Sequence, residues 1–309
     1  MSKKWTEEDL EKLVTLRMEG LTFKQMTKYF DATDNAIKKV YNRKKKEVVK
    51  EVKGAKVLLL DIETLPIEAY VWDLWDQNIG LDMIKTDWSI LSFSAKWLGA
   101  PEKEIMYYDT RNEKDIRDDF KLLKIIHSLL CEADVTIHQN GVRFDIPKLN
   151  ARFLKHKMHP PSSFRNIDTM RIMKRHFKLT SNKLAYATDL LCVKYKKLSH
   201  SEFAGAKLWT ECMKGNPKAF ESMEKYNKYD VLSLEELYNF LAPWDKTIRF
   251  SAFNEDTEER CNCGSTDIKK NGFIYTNTAM YQRYTCKNCG KEFKDPKNIM
   301  SKENKKKLR

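Results

Sequence analysis

No apolar run in this chain of 309 residues is longer than a few side chains, as in Val57-Leu58-Leu59-Leu60. A helix that crosses a bilayer needs about 20, which excludes a membrane span. The first residues, MSKKWTEED, lack the hydrophobic stretch of a signal peptide, so a cytoplasmic protein is expected. Disulfides are not expected either. Four of the seven cysteines (Cys261, Cys263, Cys286, Cys289) crowd near the C-terminus, a metal-site pattern, while Cys131, Cys192 and Cys212 are scattered as core filler. The six histidines show no ligand spacing and none is assigned to a metal. What is present is 41% hydrophobic residues, enough to bury a core, and a length that suits two or three domains.

Lysine and arginine number 57 against 44 aspartates and glutamates, a net charge of +13. The surplus sits at the ends: residues 1–56 carry +6 and residues 246–309 carry +7, while 27 cations and 27 anions balance between them. Basic ends around a neutral centre fit arms that hold a polyanion and a middle with another task. Solvated lysine-rich tails kept for solubility fit the charge equally well.

Residues 5–46 read as three short helices. Thr6-Glu7-Glu8-Asp9 is a capping-box pattern before Leu10, Leu13, Val14 and Met18, with Gly20 as the stop. Thr22 to Gln25 is a second box before Met26 and Phe30. Thr33 caps a third helix with Ile37, Val40 and Tyr41 inward and Asn35, Lys38, Lys39, Asn42 and Arg43 outward. This is a helix-turn-helix arrangement. Through Trp5, the acidic first turn and Ala36-Ile37-Lys38-Lys39, it resembles Myb/SANT-like modules. The resemblance implies DNA contacts from Asn35, Lys38, Lys39 and Arg43; a small protein-interaction module is the other reading. A charged linker, residues 47–55, extends the third helix until it breaks near Gly54.

In the middle, Lys56 to Leu60 reads as a buried strand running into Asp61-Ile62-Glu63. Strand alternation turns both acids to one face, where they repel unless a cation lies between them. That is a design for Mg²⁺ or Mn²⁺. Strands are expected over 88–97, 103–109 and 134–138, and an amphipathic helix over 113–130. The third of these strands leads into Asn140-Gly141-Val142-Arg143-Phe144-Asp145, with Asp145 opening a helix. Residues 216–240 form a late helix that carries Tyr226 and Asp230, four apart, on one face.

Asp61-x-Glu63, Asn140-Gly141-x-x-Phe144-Asp145 and Tyr226-x-x-x-Asp230, in this order, resemble the three motifs of DnaQ-like 3′→5′ exonucleases of the DEDDy branch. The branch with histidine has it one residue before Tyr226, where this chain has Lys225. The resemblance covers residues 56–245 and implies an RNase H-like mixed sheet with flanking helices. It also implies two Mg²⁺ or Mn²⁺ ions held by Asp61, Glu63, Asp145 and Asp230, with Asp145 acting through water. Tyr226 would orient the attacking water with Glu63, and Asn140 and Arg143 would touch the nucleic acid. Residues 141–220 hold 17 cations and 5 anions, and Arg143, Arg152, Arg165, Arg171, Lys174, Arg175 and Lys178 suit a phosphate track or a solvated helix face. Trp72, Trp75 and Trp88 suit core packing, with stacking on a terminal base as the alternative. Asp168 reads as a helix cap.

Near the C-terminus, Cys261-x-Cys263-Gly and Cys286-x-x-Cys289-Gly bracket β-type sequence, a pattern for one tetrahedral Zn²⁺. Lys269-Lys270-Asn271-Gly272 and Tyr284-x-Cys286-x-x-Cys289-Gly290-Lys291-x-Phe293 make residues 258–296 resemble a transposase-type zinc ribbon, although the first pair is C-x-C rather than C-x-x-C. Residues 297–309 are expected to be a basic, disordered tail.

The sequence thus points to a metal-dependent 3′→5′ exonuclease of nucleic acid, DNA in preference to RNA, between a small all-α domain and a small β zinc domain. No membrane partner is expected; a replication or repair protein, and a bacterial or phage-infected cell, suit such a chain. A DNA-binding regulator with an inactive nuclease-like scaffold and an RNA 3′-end exonuclease are the alternatives.

Overall fold

The first helices begin where a hydroxyl can cap them. In the computed structural model, which describes residues 5–18, 21–41, 54–196, 203–253, 260–263 and 265–307, α1 (Glu7–Met18) opens with Thr6 Oγ1 accepting Asp9 N–H at 3.2 Å. α2 (Phe23–Met26) has a reciprocal box: Thr22 Oγ1 accepts Gln25 N–H at 3.3 Å and Gln25 Oε1 accepts Thr22 N–H at 2.8 Å. A third helical run, α3 (residues 34–41), starts after Thr33, whose Oγ1 accepts Ala36 N–H. Leu13, Leu16, Met26, Phe30 and Ile37 bury together between them, and Asn35, Lys38 and Lys39 are exposed. Asn42, Arg43 and the linker as far as residue 53 lie outside the described residues. This is one of two compact units; the second begins at Ala55.

In the second unit the chain runs β1 (Val57–Leu65), β2 (Glu68–Ala69), β3 (Ile84–Thr86), β4 (Ser89–Trp97), β5 (Met106–Asp109), α4 (Phe120–Glu132), β6 (Val135–His138), α5 (Asp145–Lys155), β7 (Arg165–Asp168), α6 (Thr169–His176), α7 (Leu184–Leu191), α8 (Lys207–Met213) and α9 (Pro217–Leu241). Five strands form one sheet in the order β5-β4-β1-β6-β7; β2 and β3 pair separately. β1 pairs antiparallel with β4 and parallel with β6, so the sheet is mixed.

Alternation along β1 sorts the two cores. Leu58, Leu60 and Ile62 pack with Leu123, Ile126, Leu149 and Phe153 of α4 and α5. Val57 and Leu59 pack on the other face with Met173, Ala187, Val231, Leu234 and Leu237 of α6, α7 and α9. This is the α/β class expected. The C-terminal region is a small sheet, β8 (Ile268–Thr276), β9 (Ala279–Cys286) and β10 (Glu292–Lys294), in the order β10-β9-β8.

Several expectations need correction. β1 does not end before the carboxylates but carries Asp61 and Glu63 within it, because Ser94 and Ser92 of β4 continue its ladder to that point. The helix expected from 113 starts at 120, with Asp119 diverted into the core. Arg152 belongs to no surface track: it is 3% exposed, and its Nε and one terminal nitrogen donate to Asp119 at 2.6 and 2.8 Å. Trp72 and Trp75 are 93% and 82% exposed rather than packed; Trp88 alone of the three packs against the core. In the basic tail, Ser301 Oγ accepts Asn304 N–H and caps a short helix, α10 (Lys302–Lys306).

Two stability predictions follow from these buried groups. Asp119, fully buried, also accepts Ile90 N–H at 2.9 Å, so Asp119→Ala strands a buried guanidinium and should cost about 3–5 kcal/mol in urea unfolding; a loss below about 1 kcal/mol would contradict the pair's role. His138 is completely buried, and its Nδ1–H donates to Leu60 O at 3.3 Å. Burial lowers its pKa to about 4, against the opposing pull of the Leu60 carbonyl and Asp168. The unfolded chain therefore takes up this proton near pH 6.5 and the folded chain only near 4. Stability should fall as pH drops across that window, by about 3 kcal/mol. His138→Gln should remove that component of the slope; parallel wild-type and variant curves would contradict it.

Candidate active site

The row of β1 side chains that faces α9 reads Val57, Leu59, Asp61, Glu63, Leu65: apolar, apolar, acid, acid, apolar. The opposing stripe of α9 carries Met223, Tyr226, Asn227, Asp230 and Leu234, at helical spacing, all buried. Two independent periodicities thus bring acids from strand and helix together. One carboxylate oxygen each of Asp61, Glu63 and Asp230 lie within 4.8 Å of one another. Hard oxygen donors that close suit a divalent cation such as Mg²⁺ or Mn²⁺, whose oxygen ligands stand about 2.0–2.1 Å from a Mg²⁺ centre.

Asp61 and Glu63 are each held by a side-chain donor. Asn227, fully buried, donates from Nδ2 to Asp61 Oδ2 at 2.6 Å and receives Ser92 Oγ–H at 3.3 Å. Trp209 of α8 donates its indole N–H to Glu63 Oε2 at 3.1 Å and meets Tyr226 edge-on, with ring centroids 6.3 Å apart. One turn and a half along α9, Glu235 receives Lys96 Nζ of β4 at 2.7 Å and Gly99 N–H at 2.9 Å, which clamps the helix to the sheet.

Asp145 falls outside this trio. It is 4% exposed at the start of α5, and its Oδ1 accepts Ile62 N–H, the backbone group between the two β1 acids, at 3.2 Å. Burial raises its pKa to about 7, against the lowering effect of that N–H and of its own N–H, with the Asp168 charge adding to the rise. Asn140 adopts a left-handed backbone, φ 64°, and its N–H donates to Asp168 Oδ1 at 3.0 Å. Gly141 must be glycine, since a Cβ there would lie 2.3 Å from that of His138. Arg143 is exposed beyond this turn. Asp168 caps α6 by accepting Met170 and Arg171 N–H groups.

Asn227, Trp209 and Lys96 were not singled out from sequence. Asn227 had a signal, three residues before Asp230 on the same face; Trp209 lies 146 residues from Glu63 and had none.

At the C-terminal module all four cysteine sulfurs meet. Cys261 and Cys289 Sγ are 3.5 Å apart, Cys263 and Cys286 Sγ 3.6 Å, and all four lie within 4.8 Å. A tetrahedral Zn²⁺ with Zn–S of about 2.3 Å needs sulfurs about 3.8 Å apart, so the set fits, the C-x-C pair included. Burial pushes the Cys261 and Cys289 thiols up, whereas at Cys263 donors from Ser265 N–H and Asn288 outweigh burial and bring it to about 7.

A family model of the RNase H superfamily matches residues 93–242, from within β4 to the end of α9. Its span holds Asn140, Asp145, Tyr226 and Asp230 and begins after Asp61 and Glu63. No curated protein matches the chain. Among solved structures, the family B DNA polymerase from the hyperthermophilic archaeon Pyrobaculum calidifontis is similar at 15% identity over 61% of this chain, with a TM-score of 0.41; the chain spans 25% of that polymerase's length. Among the described residues no helix is long and apolar enough to cross a membrane. The family match and the mixed five-stranded sheet together give the middle of this chain an RNase H-like fold.

Proposed function

We propose that the chain is a divalent-metal-dependent 3′→5′ exonuclease that releases 5′-mononucleotides from nucleic acid, DNA in preference to RNA. The observation that carries this reading is the meeting of Asp61, Glu63 and Asp230 within 4.8 Å, beside Tyr226 and Asp145, inside an RNase H-like fold. Asp61, Glu63 and Asp230 would hold one cation, and Asp61 with Asp145 a second. Bound cations there supply charge neutralisation of the phosphodiester and lower the pKa of a water nucleophile.

The remaining work belongs to the side chains. Tyr226 orients the attacking water through its hydroxyl, and Glu63, pinned by Trp209, accepts from the same water. Asn227 keeps Asp61 aimed at the site while its own carbonyl is occupied by Ser92. Asn140 and Arg143, at the turn after β6, meet the terminal nucleotide. Asn35, Lys38, Lys39 and Arg43 contact duplex DNA from the N-terminal unit, and Cys261, Cys263, Cys286 and Cys289 bind one structural Zn²⁺.

With Mg²⁺ or Mn²⁺, 5′-labelled single strands should shorten stepwise from the 3′ end. Asp61→Ala should lose at least about 1,000-fold in rate and Tyr226→Phe about 100-fold, with unchanged melting. If wild type and Asp61→Ala are equally inert on DNA and RNA, the regulator reading replaces this one; faster RNA digestion would reverse the substrate preference. Metal analysis after purification without added zinc should find about one Zn per chain. Cys286→Ser should lose it and become sensitive to proteolysis after Ile248; full zinc content in that variant would contradict the site.

A further inference from the structure

Residues 243–249 follow α9, and two adjoining cavities open along this segment, sharing Lys246. The first, about 240 Å³, is lined by Asn166, Asp168, Arg171, Arg175, Asp245 and Lys246, among others. It starts at the ends of β6 and β7, where Asp168 pairs with His138. That is two strands from β1, about 10 Å at the usual strand spacing. The second, about 430 Å³, lies against the cysteine module and combines Lys246, Arg249, Lys291 and Lys294 with Ile274 and Phe293.

Charge and shape narrow the occupant. The first cavity sets Arg171, Arg175 and Lys246 against Asp168, whose Oδ1 accepts three backbone N–H groups, and Asp245, whose Oδ1 accepts Thr247 N–H, a surplus of one cation. The second cavity sets four cations against Glu292 alone. Lys291 is 4% exposed, its buried Nζ has no hydrogen-bond acceptor among the described residues, and the negative groups that act on it are Asp245, Cys261 and Cys289. Beside it Tyr284 stacks on Phe293, ring centroids 5.8 Å apart, and the Arg249 guanidinium lies over Phe293 at 4.9 Å. A planar cation held on an aromatic face is a platform for a nucleobase. A volume of about 430 Å³ takes a nucleotide, within the range of about 300–1,000 Å³ for small-ligand sites.

We propose that these cavities form a groove for single-stranded nucleic acid, with phosphates on Arg171, Arg175 and Lys246 and a base on the Arg249–Phe293 platform. The groove deepens the exonuclease reading and rests on it for the direction in which the strand leads to the carboxylates. The module with four cysteines is then a wall of the substrate path rather than a separate appendage.

The test is fluorescence anisotropy of labelled dT20 with the full chain in Ca²⁺ buffer, beside hydrolysis of thymidine 5′-monophosphate p-nitrophenyl ester with Mn²⁺, a substrate too small to reach the groove. Lys246→Glu/Arg249→Glu should bind dT20 at least about 10-fold more weakly, with a salt slope reduced by about 0.7 for the one phosphate contact removed, and should cleave the ester as wild type does. Lys103→Glu/Lys114→Glu, an equal charge change at exposed positions outside both cavities, should stay within about twofold of wild type. Arg249→Lys, which keeps the charge and removes the plane, should lose about fivefold with an unchanged slope. Wild-type binding by Lys246→Glu/Arg249→Glu and Arg249→Lys, or an equal loss in the Lys103/Lys114 variant, would overturn the groove. An ester left untouched by wild type, with dT20 binding lost as described, would sink the exonuclease reading and leave the groove standing.

Discussion

Negative charge crowded against itself is the constraint on which this molecule turns. Three carboxylates within 4.8 Å repel by about 3–4 kcal/mol per pair at an effective dielectric of about 20. No fold collects them without something that holds them there and something that relieves them. The first requirement is met by protein groups: Asn227 on Asp61, Trp209 on Glu63, and the packing of α9 on β1 and β4. The second requirement is what makes a divalent cation the natural occupant.

The scaffold explains why the crowding is tolerated. β1 is central in the sheet, paired with β6 over Val57–Leu59 and with β4 from Leu58 to Leu65, so its position is set in part by residues remote from the acids. The layer under β1, from Leu58 to Ile62, is closed by α4 and α5, where the buried Asp119–Arg152 pair ties the start of one helix to the body of the other. Lys96 and Glu235 do the same for α9 and β4. The site is therefore built on strands and helices, with only the turn at Asn140 and Gly141 supplied by a loop, which favours fixed geometry over adaptability.

Much of this was legible in the sequence because periodicity and chemistry coincided. Strand alternation placed Asp61 and Glu63 on one face, and the four-residue spacing placed Tyr226 with Asp230. The scaffold around them was less legible. A long-range partner such as Trp209 leaves no local trace, and Arg152 looked like surface charge because its buried partner, Asp119, is 33 residues away. Trp72 and Trp75 misled for the opposite reason: large aromatics are core residues by default, and only three-dimensional placement reveals them in solvent. The helix expected from residue 113 began seven residues late because Asp119 prefers Arg152, Ile90 N–H and His156 to the helix interior.

The most direct examination of the central idea is anomalous scattering from crystals grown with Mn²⁺. A manganese peak bounded by oxygen atoms of Asp61, Glu63 and Asp230 is expected, absent from Asp61→Ala crystals grown in the same way. Fully ordered carboxylates with no manganese between them at millimolar Mn²⁺ would contradict it.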